Sequence, residues 1–170
     1  MVSAQNRQKE TLSYLAGLLD ADGYFGVTMS TSLYRNGKRP RPEWVGRIGL
    51  KQVTEVGPRL LKSYFEGYQG TEAPSATNGK LLHAWKVSYR KAHRCAKILL
   101  PYLRIKKEQA KLLIKLEAHK VNTQHRQSLT LRQAQYRYEI YLKSRSLNDV
   151  RGKAQNFPLN WNQKRKHSDD

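Results

Sequence analysis

The sequence predicts an α+β domain in which an antiparallel four-stranded sheet carries helices on one of its faces. Three observations carry that expectation. Apolar spacing of three and four residues alternates with spacing of two, in the order helix, two strands, helix, two strands, helices. Each strand pair surrounds a turn signal, Asn36-Gly37 in the first and Thr77-Asn78-Gly79 in the second. The strand segments are apolar on one side and rich in hydroxyls, glycines and bases on the other. One sheet face therefore needs covering and the other does not.

The first helix runs from about Asn6 or Arg7 to Asp20. Leu12, Leu15, Ala16 and Leu19 form one apolar face, and Tyr14, Gly17, Leu18 and Ala21 form a second face poor in charge. A helix uncharged on two sides must be covered on both. Gly17 costs about 1 kcal/mol in a helix relative to Ala, which suits close approach by another helix. Gly23 suits the stop or the turn after it. Phe25, Val27, Met29, Thr31 and Leu33 then alternate with Tyr24, Gly26, Thr28, Ser30, Ser32 and Tyr34. Pro40 and Pro42 lengthen the connection to a return strand over about Trp44 to Val53, with Ile48 and Leu50 inward and Val45, Arg47, Gly49 and Lys51 outward.

A short helix follows from Pro58 to Phe65, then a hairpin with strands near Gln69–Ala73 and Leu81–Tyr89. In its second strand Trp85, Val87 and Tyr89 share one side. Helices are expected over Lys91–Leu100, Lys107–Ala118 and Leu129–Leu142, the first broken by Pro101. Residues 1–155 read as one domain and 156–170 as a flexible basic tail.

Composition narrows the partner. The 170 residues hold 32 Lys plus Arg against 13 Asp plus Glu, a net charge of +19. Such an excess repels itself and is most simply explained by nucleic acid. A basic membrane binder would concentrate its charge on one amphipathic helix, whereas here it spreads from Arg7 to Lys166. The single Cys95 excludes an internal disulfide and a multi-cysteine zinc site. MVSAQNRQKE lacks the apolar run of a secretory signal, and no stretch approaches a membrane span. These features lead us to expect a soluble intracellular protein, and they leave an organelle and a prokaryotic cytoplasm both open.

Acid in so basic a chain needs a reason, and it gathers at Asp20-Ala21-Asp22-Gly23. Phosphodiester hydrolysis needs an activated water and charge neutralisation at phosphate, which Mg²⁺ (or Mn²⁺) on a carboxylate can supply. Asp22 is the candidate ligand. Asp-x-Asp-Gly alone is equally a capped turn. His119, Asn122 and His125 sit in one short polar stretch and read as solvated side chains, and His93 and Cys95 read as helix residues. No glycine-rich phosphate loop and no Ser/His/Asp set occurs.

With its flanks included, YLAGLLDADG resembles the defining motif of the LAGLIDADG homing endonucleases, differing from the motif's name only at Leu19. PYLRIKKEQA, Pro101 to Ala110, resembles the corresponding loop and helix start of the single-motif branch, and element order extends the resemblance over about Leu12 to Ala118. The resemblance implies an αββαββα fold with a saddle-shaped sheet, additional C-terminal helices, and a homodimer formed by packing the motif helices at Ala16, Gly17 and Ala21. It implies a double-strand DNA endonuclease in which Asp22, with the Ala21 carbonyl, holds catalytic Mg²⁺. Each subunit would cut one strand across the minor groove of a long, near-palindromic site, leaving short 3′ overhangs. Intron-encoded members of this kind also include maturases, so an RNA-holding or other non-cutting role is the alternative.

The same resemblance implies that Lys106 (or its neighbour Lys107) is the basic residue beside the active site and that Asp20 has a structural role. It implies that Gln52 would complete the site, or Glu55 if no insertion precedes the Leu60-Leu61 helix. Arg59 is a further positive charge. Thr28, Ser30, Ser32, Tyr34, Arg35, Lys38, Arg39, Arg41, Arg47, Lys51 and Lys86 are then candidates for DNA contact, through base edges and through salt-dependent phosphate contacts.

Overall fold

The computed structural model describes residues 4–32, 41–73, 79–121 and 129–149. Helix α1 (Ala4–Asp22) leads directly into strand β1 (Gly23–Ser32), which pairs with β2 (Arg41–Gln52). Helix α2 (Val56–Phe65), strands β3 (Tyr68–Glu72) and β4 (Leu82–Ser88), and helices α3 (Tyr89–Leu99), α4 (Lys107–Val121) and α5 (Leu131–Leu147) follow. All pairings are antiparallel, in the order β1-β2-β4-β3. Each hairpin is sequence-local, and only the β2–β4 pairing joins the two. The expected α+β architecture is present.

The helices cover the face carrying Phe25, Ile48, Leu50, Trp85 and Val87, all buried. These side chains meet Leu12, Leu15, Ala16 and Leu19 of α1, Leu61 of α2, and Ala92, Cys95, Ala96 and Leu99 of α3 in one core. A second core gathers Val27, Met29 and Trp44 from the far end of the first hairpin under Leu112 and Leu116 of α4 and Ala134, Ile140 and Tyr141 of α5. Thus α5 is part of the packed body, and it runs beyond its expected end at Leu142 to Leu147. Its start is fixed by a capping box. The Thr130 hydroxyl accepts from the Gln133 amide, and the Gln133 side chain accepts from the Thr130 amide.

The far end of α5 closes the free edge of β1. The Val27 amide donates to Ser144 Oγ at 2.9 Å, and Asn148 Nδ2 donates to the Phe25 carbonyl at 2.9 Å. An edge strand exposes unpaired amides and carbonyls, and these side chains satisfy two of them. Ser144 is buried, so its loss leaves the Val27 amide without a partner. Ser144→Ala is expected to cost about 2 kcal/mol. The check is the urea midpoint at unchanged slope, and an unmoved midpoint would show that this edge bond is dispensable.

Several positions depart from strict alternation. Val45 belongs by alternation to the outward face, yet it is buried. Tyr89 does not continue β4 inward. The chain leaves the sheet at Ser88, and Tyr89, 48% exposed, begins α3 with φ of 55°. His119 is not a free solvated side chain either. It stacks on Tyr136 at 4.7 Å between ring centroids, and its Nδ1 accepts from Arg137 Nε. Tyr34, Arg35, Lys38 and Arg39, the turns at Asn36-Gly37 and Thr77-Asn78, the triad members Asn122 and His125, and the 156–170 tail lie outside the described residues. Among the described residues no helix is long and apolar enough to cross a membrane.

Candidate active site and nucleic-acid face

The end of α1 is held by residues from distant parts of the chain. The helix extends to Asp22, beyond the expected stop at Asp20, because its last carbonyls find a donor. Lys106 Nζ donates to the carbonyls of Leu19 at 2.9 Å and Asp20 at 2.7 Å, with Ala21 further off at 3.4 Å. A cation at a helix C-terminus also opposes the negative end of the helix dipole. Strand β1 then starts without a loop. A Cβ at Gly23 would lie 2.7 Å from the Leu19 carbonyl oxygen, so this connection requires glycine.

Asp20 anchors the segment that delivers Lys106. Its carboxylate accepts backbone N–H bonds from Arg104 (2.7 Å), Ile105 (3.2 Å) and Lys106 (2.9 Å). Asp20 is buried and faces the 104–106 loop, whereas Asp22 is exposed. The two acids of Asp-x-Asp-Gly thus divide the work: one fixes a loop, the other faces solvent. Lys106, not Lys107, reaches the end of α1; Lys107 is the exposed first residue of α4.

Strand β2 brings in the third side chain. Gln52 Nε2 donates to Asp22 Oδ2 at 2.7 Å. Gly57, at the start of α2, leaves the space that Gln52 Oε1 occupies, since a Cβ there would overlap that oxygen. Glu55 points elsewhere: it pairs with Arg59 at 3.1 Å and lies 3.9 Å from His83 Nδ1. Of the two alternatives for completing the site, Gln52 is the one bonded to Asp22.

Burial draws the Lys106 ammonium below the usual lysine value, with Asp20 and Asp22 opposing the shift. A lysine depressed in the fold binds fewer protons there than when unfolded, between its folded and unfolded values. Stability from this group therefore rises with pH across that window and is penalised below it. A ¹³Cε titration by NMR should place the Lys106 midpoint below that of exposed lysines. A midpoint at or above them would contradict the arrangement.

The donor set suits a hard cation only in part. Asp22 has a second carboxylate oxygen beyond its bond to Gln52, and the Ala21 carbonyl lies one residue away. No cluster of three His, Cys, Asp or Glu suited to a metal occurs among the described residues. One carboxylate and a carbonyl do not enclose a cation, but Mg²⁺ commonly binds through one or two carboxylates and completes its shell with water and phosphate oxygens. The residues fit a cation that takes its remaining ligands from water and phosphate oxygens.

On the side of the sheet away from the helices, Tyr24 lies over Gly49 and Tyr68 over Gly70, where any side chain would meet the rings. Arg47 and Ser30 are exposed, and the Thr28 hydroxyl faces the Val45 carbonyl at 3.5 Å. Lys51 and Lys86 both pair with Glu72 of β3. Backbone positions place Ser32 and Arg41 opposite each other at the end of the first hairpin. Sequence reasoning missed Glu72, although it shares strand parity with Gly70 and so belongs to this face.

The dimer candidates separate. Ala16 lies one turn from Leu12 and Leu19 and is wholly buried in the chain's own core, which removes it from the face expected to meet a partner helix. Gly17 and Ala21 are exposed, with nothing within 4 Å of a Cβ built at Gly17. Tyr14 lies beside them, 56% exposed.

No protein-family model matches the sequence, and no curated protein matches it. Solved structures do. The homing endonuclease I-CvuI in complex with its target matches over 88% of this chain and 88% of its own, at TM-score 0.66 and 17% identity. The archaeal intron-encoded homing endonuclease I-Vdi141I, complexed with DNA, matches over 88% and 91%, at TM-score 0.66 and 11% identity. The LAGLIDADG homing endonuclease I-LtrWI, bound to target DNA, matches 88% of this chain but 53% of its own, at TM-score 0.60 and 21% identity. Element order, sheet topology and the helix bearing YLAGLLDADG agree with these likenesses: the chain has the fold of the LAGLIDADG homing endonucleases.

Proposed function

We propose that this protein is a site-specific DNA endonuclease that works as a homodimer with Mg²⁺. The observation that carries the reading is the convergence of Asp22, Gln52 and Lys106 at the end of one helix, beside the exposed face of Tyr14, Gly17 and Ala21. A second copy packed on that face would bring two Asp22 carboxylates together. Exposed apolar side chains on α2, namely Val56, Leu60 and Tyr64, extend the area available for such packing.

When bound, the cation supplies an activated water and neutralises charge on the scissile phosphate. The chain's own residues do the rest. Asp22 presents a carboxylate at the exposed end of α1, and Gln52 fixes its orientation by holding one oxygen. Lys106, tied to the carbonyls of the same helix turn, places positive charge where phosphate charge develops. The basic outer sheet face aligns the duplex, with Arg47, Ser30 and Thr28 along the first hairpin. In a two-fold dimer each subunit cuts one strand of a near-palindromic site.

The test uses a random-sequence duplex library incubated with the purified protein and Mg²⁺ or with EDTA. Metal-dependent cutting at one family of related sites is expected. Absence of cutting, together with tight binding of intron RNA, would overturn the reading in favour of a maturase.

A further inference from the structure

Two of the bases assigned to the sheet face do not stand free. Lys51 Nζ lies 2.6 Å from Glu72 Oε2, and Lys86 Nζ bonds the other oxygen, Oε1. The register explains the grouping. Lys51 stands opposite Ala84 and Lys86 opposite Tyr68, while Glu72 pairs with Leu82 one step further along the same face. Ala84 is small and lies wholly buried among these longer neighbours, leaving room for the three charged side chains to meet above it. Tyr24 and Tyr68, each seated over a glycine, flank Lys86. The two lysines hold the Glu72 carboxyl below the usual range, and its bond to Glu72 raises Lys86.

This cluster changes what the lysines offer to a duplex. A free surface lysine gains from any phosphate, whatever the sequence. Here an ammonium that turns to a phosphate gives up a charge-assisted bond to Glu72, and the carboxylate is left facing the polyanion. Random DNA then replaces one ion pair with another and gains little. A site whose base edges accept from the lysines and donate to the carboxylate restores what was lost.

We propose that Glu72 is a specificity-determining residue, which restrains Lys51 and Lys86 and so suppresses binding to non-cognate DNA. The inference rests on the open sheet face being the DNA surface. Glu72 adds no contact that a phosphate would favour; it makes the contacts of its neighbours conditional. Glu66, an exposed acid that lies outside the strands and pairs with Lys91 at 2.7 Å, serves as a control of equal charge.

The experiment measures binding of the full chain to a short random-sequence duplex across a salt series without divalent metal. Wild type, Glu72→Gln and Glu66→Gln are compared, each checked for an unchanged unfolding midpoint. Glu72→Gln is expected to bind about tenfold tighter at low salt, with a log–log salt slope steeper by about one to two as two cations become available. Glu66→Gln is expected to match wild type. If Glu72→Gln binds with the affinity and slope of wild type, or if Glu66→Gln tightens binding equally, Glu72 has no such role and the DNA surface itself stands. Failure of all three proteins to bind any duplex would overturn the DNA surface and this inference together. Should Glu72→Gln lose stability, Glu72→Asp supplies the second reading: the shorter acid keeps the charge but cannot hold both lysines, and an intermediate slope is expected.

Discussion

Asp22→Asn should fold, bind its DNA site and fail to cut it, with cleavage falling on the order of 10³-fold. That loss corresponds to several kcal/mol of transition-state stabilisation from a cation at the scissile phosphate. The substitution is nearly isosteric, and Asp22 is exposed, so no core contact is lost. An Asn carbonyl oxygen still accepts from Gln52, which preserves the local geometry. What disappears is the negative charge that attracts the cation. Single-turnover cleavage of a selected site, with binding measured in parallel, separates the two effects. Undiminished cutting would place the chemistry elsewhere on the chain.

Asp20→Ala should be damaging in a different way. Three backbone N–H groups, from Arg104, Ile105 and Lys106, lose one shared carboxylate. Bonds to a charged acceptor are worth about 1.5–3 kcal/mol singly and add poorly, so a total cost of about 3 kcal/mol is expected. The urea midpoint reports that cost. Cleavage should also fall, on the order of 10²-fold, because the 104–106 loop no longer sets the position of the Lys106 ammonium. Asp20→Asn keeps one acceptor oxygen and should lie between. A variant as stable and active as wild type would show that Lys106 needs no anchor.

Much of the fold and of the candidate site is legible in the sequence. The alternation of Phe25, Val27 and Met29 with Tyr24, Gly26 and Thr28 predicts which strand face is covered, because a half-buried strand obeys a period of two. The break between Leu99 and Lys107, around Pro101, locates the loop that carries Lys106. The motif itself singles out Asp22. What sequence reasoning misplaces is Ala16: as a small residue beside Gly17 it looks suited to a partner helix, yet its spacing from Leu12 and Leu19 takes it into the core.

The remaining gaps have a common cause. Gln52 and Glu55 are both polar side chains near the end of β2, and only the three-dimensional path of the chain shows that Gln52 bonds Asp22 while Glu55 pairs with Arg59. Gly57 gives no sign of making room for Gln52, because a glycine before Pro58 reads as a helix start. Glu72 meets Lys51 and Lys86 across two neighbouring strands, a register that no local pattern encodes. Lysine counting alone leaves the charges of Lys51 and Lys86 free, and the structure shows both paired to one shared carboxylate.

Strand-resolved mapping of the ends produced in Mg²⁺ bears most directly on two Asp22 side chains acting about a two-fold axis. Both strands of each cut site would be sequenced from a digested random duplex library. A homodimer cutting across the minor groove should leave paired cuts with short 3′ overhangs, centred in flanks related by two-fold symmetry. Single nicks, blunt or 5′ ends, or asymmetric flanks would contradict that arrangement.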